Sequence, residues 1–149
     1  MSIRAIWLST FMVTVVGLVL LGGVIQDSRH RQATPCIPNS RFVYDANVPD
    51  GTVMAPGEKF EKQWKLENPV GDNRCVWGDG YNVVWSKDEN FAAPAGSILI
   101  PRTEPGKSVV IKIPMTAPST PGGHKSGWIL RTPDGVKFGD PFWAIVTVK

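Results

Sequence analysis

An uncharged apolar run near the amino terminus is the first clear pattern along the chain. It covers residues 5–26, between Arg4 and Asp27. A helix over this run would be about 33 Å long, close to the roughly 30 Å hydrocarbon core of a bilayer. Trp7 lies near one end, where interfacial aromatic residues are typical. The run predicts an N-terminal transmembrane helix. A cleaved signal peptide, whose apolar region is normally shorter, is the open alternative.

After this run the pattern changes. Residues 27–38 are polar and contain prolines, which is typical of a short juxtamembrane linker. From residue 39 onward apolar and polar residues alternate, with the period of half-buried strands. Gly- and Pro-containing turns separate the runs. The alternating sets are Phe60, Trp64 and Leu66; Tyr81, Val83 and Trp85; Val109, Ile111 and Ile113; Trp128 and Leu130; and Trp143 and Ile145.

Seven or eight short strands over residues 39–149 are the number expected of an immunoglobulin-like antiparallel β-sandwich. The predicted fold is therefore all-β, preceded by one transmembrane helix. The length of 149 residues leaves room for one such domain.

Composition changes this picture only where charge is concerned. The formal net charge of +3 would suit a nucleic-acid partner. However, the basic excess lies around the apolar run, and the chain from Cys36 onward is nearly neutral. The sequence therefore predicts no nucleic-acid partner.

Several motifs follow one another along the chain in a fixed order. They are Phe60-x-Lys62-x-Trp64-x-Leu66-x-Asn68, Trp77, Gly127-Trp128-x-Leu130, Phe138-Gly139 and Trp143. Together with the lead-in from Asp45 to Thr52 and the Pro56-Gly57 turn, they resemble one known family, the four-tryptophan (FW) Ig-like domain. The family includes the central domain of the next-to-breast-cancer-gene receptor of selective autophagy and bacterial membrane-anchored proteins.

The resemblance implies a structural role for four tryptophans and for both cysteines. Trp64, Trp77, Trp128 and Trp143 would be signature residues of the core. In bacterial members a cysteine before the second tryptophan often accompanies one upstream of the first strand, which implies a Cys36–Cys75 disulfide. Such a bond would favour an oxidising, exported location. The link between Asn68 and Trp77 is longer than the family pattern, so apart from the disulfide no role for the Pro69–Cys75 loop is carried over.

Candidate chemistry is sparse. His124 could pair with Asp134 or Asp140 in part of a triad, and Asp45, Asp50 and Asp79 could offer oxygen ligands to calcium. A surface histidine and ordinary turn residues are the simpler interpretation of these positions. The sequence therefore predicts no enzyme, no cofactor and no metal.

Two aromatic residues outside the signature set, Tyr81 and Trp85, are the candidates for partner binding. The overall hypothesis is a non-enzymatic, membrane-anchored protein-interaction module, most simply a small accessory subunit of a multi-subunit membrane complex. Its partners would be other membrane-protein subunits, and lipid through residues 5–26. The N-terminus would be cytoplasmic and the sandwich periplasmic or extracellular. The alternative is a free-standing cell-surface module that binds a glycan or another ligand.

Overall fold

The computed structural model describes residues 35–149, which form eight strands. The predicted anchor, residues 5–26, lies outside the described residues, as does most of the linker. Within residues 35–149 no helix has the length and apolar character needed to cross a membrane. The strands are β1 (Arg41–Asp45), β2 (Thr52–Met54), β3 (Lys59–Glu67), β4 (Asn82–Asp88), β5 (Ile98–Leu99), β6 (Ser108–Thr116), β7 (Gly122–Arg131) and β8 (Lys137–Val148).

These strands form two sheets, and the all-β, immunoglobulin-like prediction is confirmed. One sheet has three strands in the order β1-β3-β6, and the other has five in the order β2-β8-β7-β4-β5. All pairs are antiparallel except β2 with β8. The described part of the chain therefore differs from a purely antiparallel sandwich at the short strand β2.

The core lies between the two sheets and follows from the alternation along the long strands. On β3, Trp64 and Leu66 are fully buried, and Trp64 pairs in register with the buried Ile111 of β6. On β8, Phe142 and Ala144 face this core from the other sheet. Because alternate residues of a strand point to opposite faces, each run of alternating apolar residues supplies one wall of the core.

The segment before β1 crosses β8 at a close approach that requires glycine. Gly139 has a φ of 73°, and a Cβ at this position would lie 2.6 Å from the backbone nitrogen of Ser40. The backbone N–H of Asp140 donates to the carbonyl of Ser40 at 3.0 Å. The Asp140 carboxylate accepts the N–H of Phe42 at 3.1 Å. The Phe138-Gly139 motif thus holds the start of β1 against the larger sheet.

A disulfide joins Cys36 to Cys75, 39 residues further along the chain. Backbone hydrogen bonds support the same junction, with the N–H of Ile37 donating to the carbonyl of Asn73 at 2.8 Å. The N–H of Cys75 donates to the carbonyl of Ile37 at 3.4 Å. The junction fixes the loop of unusual length, Pro69–Cys75, to the chain that leads into β1.

One buried charge lies inside the sandwich. Lys62 belongs to the inward row of β3, beside Trp64, and its side chain is 0% exposed. Its Nζ lies 2.7 Å from Oδ1 of Asp45, a contact that is an ion pair rather than an aligned hydrogen bond. The ammonium also donates to the carbonyl of Val48 at 2.6 Å and lies 5.7 Å from the Trp64 ring centroid. These contacts attach the segment between β1 and β2 to the core.

We expect Lys62→Ala to lower the free energy of unfolding by about 3 kcal/mol, because it leaves the Asp45 carboxylate and the Val48 carbonyl without their cation. Urea denaturation measures this loss. The double variant Lys62→Met/Asp45→Asn removes both charges and keeps most of the volume, so its cost should be clearly smaller. An equal cost for both variants would show that packing, and not the ion pair, sets the stability there.

Removing the disulfide with Cys36→Ser/Cys75→Ser should lower the free energy of unfolding by about 3–4 kcal/mol, through the added entropy of an unfolded chain without a closed loop. The measurement is urea denaturation of this variant beside the unreduced parent. Reduction of the parent protein with a phosphine should reproduce the loss. A parent protein that is equally stable before and after reduction would contradict this account.

Candidate functional site

Three of the four signature tryptophans have structural roles. Trp64, Trp77 and Trp128 are each 0% exposed. Each indole N–H has an acceptor: Trp64 donates to the Trp143 carbonyl at 2.7 Å, Trp77 to the Asn39 carbonyl at 3.1 Å, and Trp128 to the Ser126 hydroxyl at 3.0 Å. Since buried polar groups need partners, these residues are committed to the fold and are not available to a ligand.

The fourth signature tryptophan, Trp143, does not belong to the core, which corrects the prediction. Its neighbours on β8, Phe142 and Ala144, are buried, so Trp143 points to the outer face of the larger sheet, where it is half-buried. Its ring lies beside Gly127 of β7, where a Cβ would be 3.1 Å from the indole nitrogen. The Nζ of Lys125 lies 4.7 Å from the ring centroid.

Trp85 is the exposed tryptophan of the described chain, at 45% exposure. It pairs in register with the buried Trp128, so it belongs to the inward row of β4 together with Val83. Its exposure follows from the unequal widths of the sheets. Two additional strands make the larger sheet about 10 Å wider than the smaller one, so part of its inner face has no strand opposite. Trp85 lies in this uncovered part.

The loop Glu89–Ser97, between β4 and β5, fills part of the uncovered area. Phe91 belongs to the core cluster and packs edge-on against Phe60, with ring centroids 6.5 Å apart. The N–H of Thr116 on β6 donates to the Phe91 carbonyl at 2.7 Å. The loop therefore spans from the edge of the smaller sheet to the larger one.

This loop has an uncommon backbone conformation. Phe91 and Ala92 have φ values of 54° and 48°, and Asp88 just before the loop has 63°. Positive φ in a bulky residue such as phenylalanine costs free energy, and such residues occur often at binding sites. The burial of the Phe91 ring offsets that cost. The conformation is thus held by packing and is not a local preference of the sequence.

Between the loop and Trp85 there is an open cleft of about 360 Å³. Its walls are Val84 and Trp85 on β4, and Asn90 and Ala93–Gly96 on the loop. The lining holds no charged side chain, and Asn90 is its one side-chain amide. We define these residues as the Trp85 cleft. Such a surface suits an uncharged or apolar segment better than an ion.

A histidine fastens the loop at its first residue. Nδ1 of His124, on β7, lies 2.8 Å from Oε1 of Glu89, and Nε2 lies 2.8 Å from the Thr120 carbonyl. Both ring nitrogens thus face acceptors, an arrangement that only the imidazolium can satisfy as a double donor. The hydrogen bond to Glu89 is the main cause that raises the pKa of His124, and the hydrogen bond to Thr120 adds to it.

Tyr81 lies in a different place from Trp85. It precedes β4, and its ring packs edge-on against Phe138 at a centroid distance of 5.9 Å. It lines a separate cleft with the disulfide and Pro133-Asp134. Burial, followed by the Asp134 charge, raises the pKa of its hydroxyl. The structure therefore does not bring Tyr81 and Trp85 together, and the row of exposed aromatics needed for glycan stacking is not formed by this pair.

Three of the remaining aspartate candidates have structural partners, whereas Asp50 and Asp79 are exposed turn residues. Asp45 pairs with Lys62, Asp140 binds the N–H of Phe42, and Asp134 accepts the Thr132 hydroxyl. His124 contacts Glu89 and neither of the two aspartates considered for a triad. Residues 35–149 contain no group of three potential metal ligands. The sequence did not point to Glu89. The contact of Glu89 with His124 depends on the pairing of β4 with β7, which the sequence does not show.

Comparison with known proteins identifies the family. The model of the Ig-like domain from next to BRCA1 gene matches residues 47–148. This chain belongs to that family. The domain of this family is a protein-interaction module, which agrees with the general class of function expected.

The relatives are much longer than this chain. It is 37% identical over 116 residues to "Protein NBR1 homolog" of Arabidopsis thaliana, a match of 74% of the chain and 16% of the relative. It is 34% identical over 114 residues to "Protein JOKA2" of Solanum tuberosum, covering 74% and 13%. With the human "Next to BRCA1 gene 1 protein" the identity is 29% over 104 residues, covering 70% and 11%. The chain thus spans less than a fifth of each of these proteins.

These findings correct the predicted setting of the protein. The relatives are Next to BRCA1 gene 1 proteins and homologues from plants and animals, not subunits of bacterial membrane complexes. The hypothesis of a membrane-anchored accessory subunit is therefore wrong, and so is its placement in a bacterial-type cell membrane with a periplasmic or extracellular domain.

The histidine contact predicts a pH-dependent stability. Because the folded pKa of His124 is raised above 6.5, its contribution is full below pH 6.5 and is lost as the pH rises through the folded pKa. The urea midpoint should therefore fall between pH 6 and pH 9. Glu89→Gln should flatten this fall, because a neutral amide does not favour the imidazolium. An unchanged pH slope in Glu89→Gln would exclude the contact as its cause.

Proposed function

We propose that this protein is a non-catalytic protein-interaction module and that the Trp85 cleft is the surface that receives its partner. One observation carries the proposal. Trp85 is 45% exposed, whereas Trp64, Trp77 and Trp128 are completely buried. A large aromatic side chain that the core does not need, placed in a cleft, has the chemistry of an interface anchor.

The shape of the cleft supports a peptide segment as the occupant. Its volume of about 360 Å³ is open to solvent on one side and corresponds to a few amino-acid residues. The Trp85 ring offers apolar area at a low entropic cost, since it has only two side-chain torsions. Asn90 can fix the orientation of a bound backbone through its amide.

The described residues also support a function without chemistry. The one histidine among them has both ring nitrogens occupied by Glu89 and Thr120. The contact between His124 and Glu89, the arrangement most similar to a catalytic pair, therefore holds the loop. This agrees with the family, whose domain is an interaction module.

The test is site-specific photocrosslinking of the full chain. A benzophenone amino acid in place of Ala95, an exposed residue of the Trp85 cleft, keeps the Trp85 ring and should form adducts of defined mass with a protein from an extract of the source cells. The matched control is the same probe in place of Val53, which is 56% exposed on β2. Identical adducts from both positions would contradict a specific site at the cleft.

Competition makes the test quantitative. An excess of the parent chain should suppress the adduct at position 95, whereas Trp85→Ala should compete about tenfold less well, the loss typical of an aromatic anchor. Because Trp85 is half-exposed, its removal should cost about 1 kcal/mol of stability or less. Urea denaturation of Trp85→Ala checks this. Full competition by a folded Trp85→Ala would overturn the proposal.

A further inference from the structure

The outer face of the larger sheet differs from the rest of the molecule in its charge. Residues directly opposite each other on neighbouring strands share a face. Trp143 and Ile145 point outward on β8, because Phe142, Ala144 and Val146 point into the core. Their partners on β7, Gly127 and Lys125, therefore also point outward.

The same register places three further cations on this face. Lys87 of β4 is opposite Gly127, and a Cβ on Gly127 would lie 3.0 Å from its side chain. Arg131 of β7 is opposite Lys137 of β8. Both point outward, since the adjacent pair, Leu130 with Phe138, is buried. We define Lys87, Lys125, Arg131, Lys137 and Trp143 as the basic face.

None of these four cations has a carboxylate partner. The ion pairs of the described residues involve Arg41, Lys62, Arg102 and His124, but no member of the basic face. Where β4 pairs with β7 and β7 pairs with β8, none of the residues that point outward is Asp or Glu. The chain from Cys36 onward is nearly neutral, so this concentration of positive charge is a local feature of the face.

Two arrangements on the basic face bring like charges together in the free protein. Like charges directly opposite each other, as in Arg131 and Lys137, destabilise a sheet. The ammonium groups of Lys87 and Lys125 both lie over the Trp143 ring, at 5.6 and 4.7 Å from its centroid. Each is attracted by the ring, but the two repel one another. A bound anionic group would relieve both repulsions.

We propose that the basic face binds an acidic segment of a partner protein, with carboxylates between Lys87 and Lys125 and apolar side chains on the edge of Trp143. Charge complementarity selects this occupant. Half-buried Ile129 and Ile145 surround the cations with apolar area, which suits a peptide with mixed acidic and apolar residues.

The test uses the full chain and fluorescence anisotropy. The probe is a fluorescein-labelled, glutamate-rich peptide with a central phenylalanine, and its control is the same peptide with glutamine in place of glutamate. The acidic peptide should bind and the glutamine peptide should bind at least about tenfold more weakly, with affinity falling as salt rises. Equal binding of both peptides would overturn the proposal.

Matched charge variants locate the site. Lys87→Ala/Lys125→Ala should weaken binding of the acidic peptide about fivefold. Lys59→Ala/Lys112→Ala removes the same charge from exposed positions on the smaller sheet and should change the affinity by less than about twofold. Equal losses in both variants would show attraction by net charge alone and would contradict a site. Thermal unfolding verifies that both variants are folded.

Two further measurements distinguish the basic face from the Trp85 cleft and from a nucleic-acid site. Trp85→Ala should bind the acidic peptide like the parent chain. A negative result for the Trp85 cleft therefore does not affect the proposal for the basic face, and a negative result for the basic face does not affect the proposal for the Trp85 cleft. A fluorescein-labelled single-stranded oligonucleotide should bind more weakly than the acidic peptide. Tighter binding of the oligonucleotide, lost in Lys87→Ala/Lys125→Ala, would assign the face to nucleic acid and overturn the proposal.

Discussion

The two sheets depend on the indole of Trp64. From β3 it reaches across the sandwich and donates to the Trp143 carbonyl at 2.7 Å. Its ring packs against Phe142 with centroids 5.0 Å apart and against Trp128 at 6.4 Å. A buried hydrogen bond between sheets has geometric requirements that apolar packing lacks, so it fixes the position of β8 against β3. With β8 fixed in this way, Phe142 must point inward and Trp143 outward.

The same constraint explains why the two proposed surfaces differ in character. The smaller sheet has two strands fewer than the larger one, and the alignment of β3 with β8 by Trp64 decides which part of the larger sheet it leaves uncovered. The uncovered inner area forms the Trp85 cleft, which is neutral and is bordered by a loop. The outward side of β8, with Trp143, becomes the centre of a basic face.

The longer strands were predictable from the sequence where their inward rows are apolar and their outward rows polar. Trp64 and Leu66 between polar residues on β3 are the clearest case. The orientation of Trp143 was not predictable, because residues 142–146 are all apolar. The alternation therefore cannot show whether the even-numbered or the odd-numbered residues face the core. The burial of Lys62 was unpredictable for the opposite reason. It is a charge in an inward row, and its partner Asp45 comes from another strand.

The exposure of Trp85 could not be read from its row either. Periodicity placed it correctly beside Val83, but its exposure depends on how many strands lie opposite, which is a property of topology. Likewise, the contact of Glu89 with His124 depends on the pairing of β4 with β7. In each case the local pattern specified the strand, and the arrangement of distant strands specified the surface.

The left-handed backbone conformation of Phe91 and Ala92 has a consequence for the affinity and the specificity of recognition. A flexible loop would lose conformational entropy when a partner arrives, and the affinity would fall by that amount. Here the loop has already lost that freedom during folding, because the Phe91 ring is anchored in the core. The shape of the cleft is therefore fixed before any partner arrives. Such rigidity favours affinity for a partner that fits this shape and disfavours adaptation to partners of different shape.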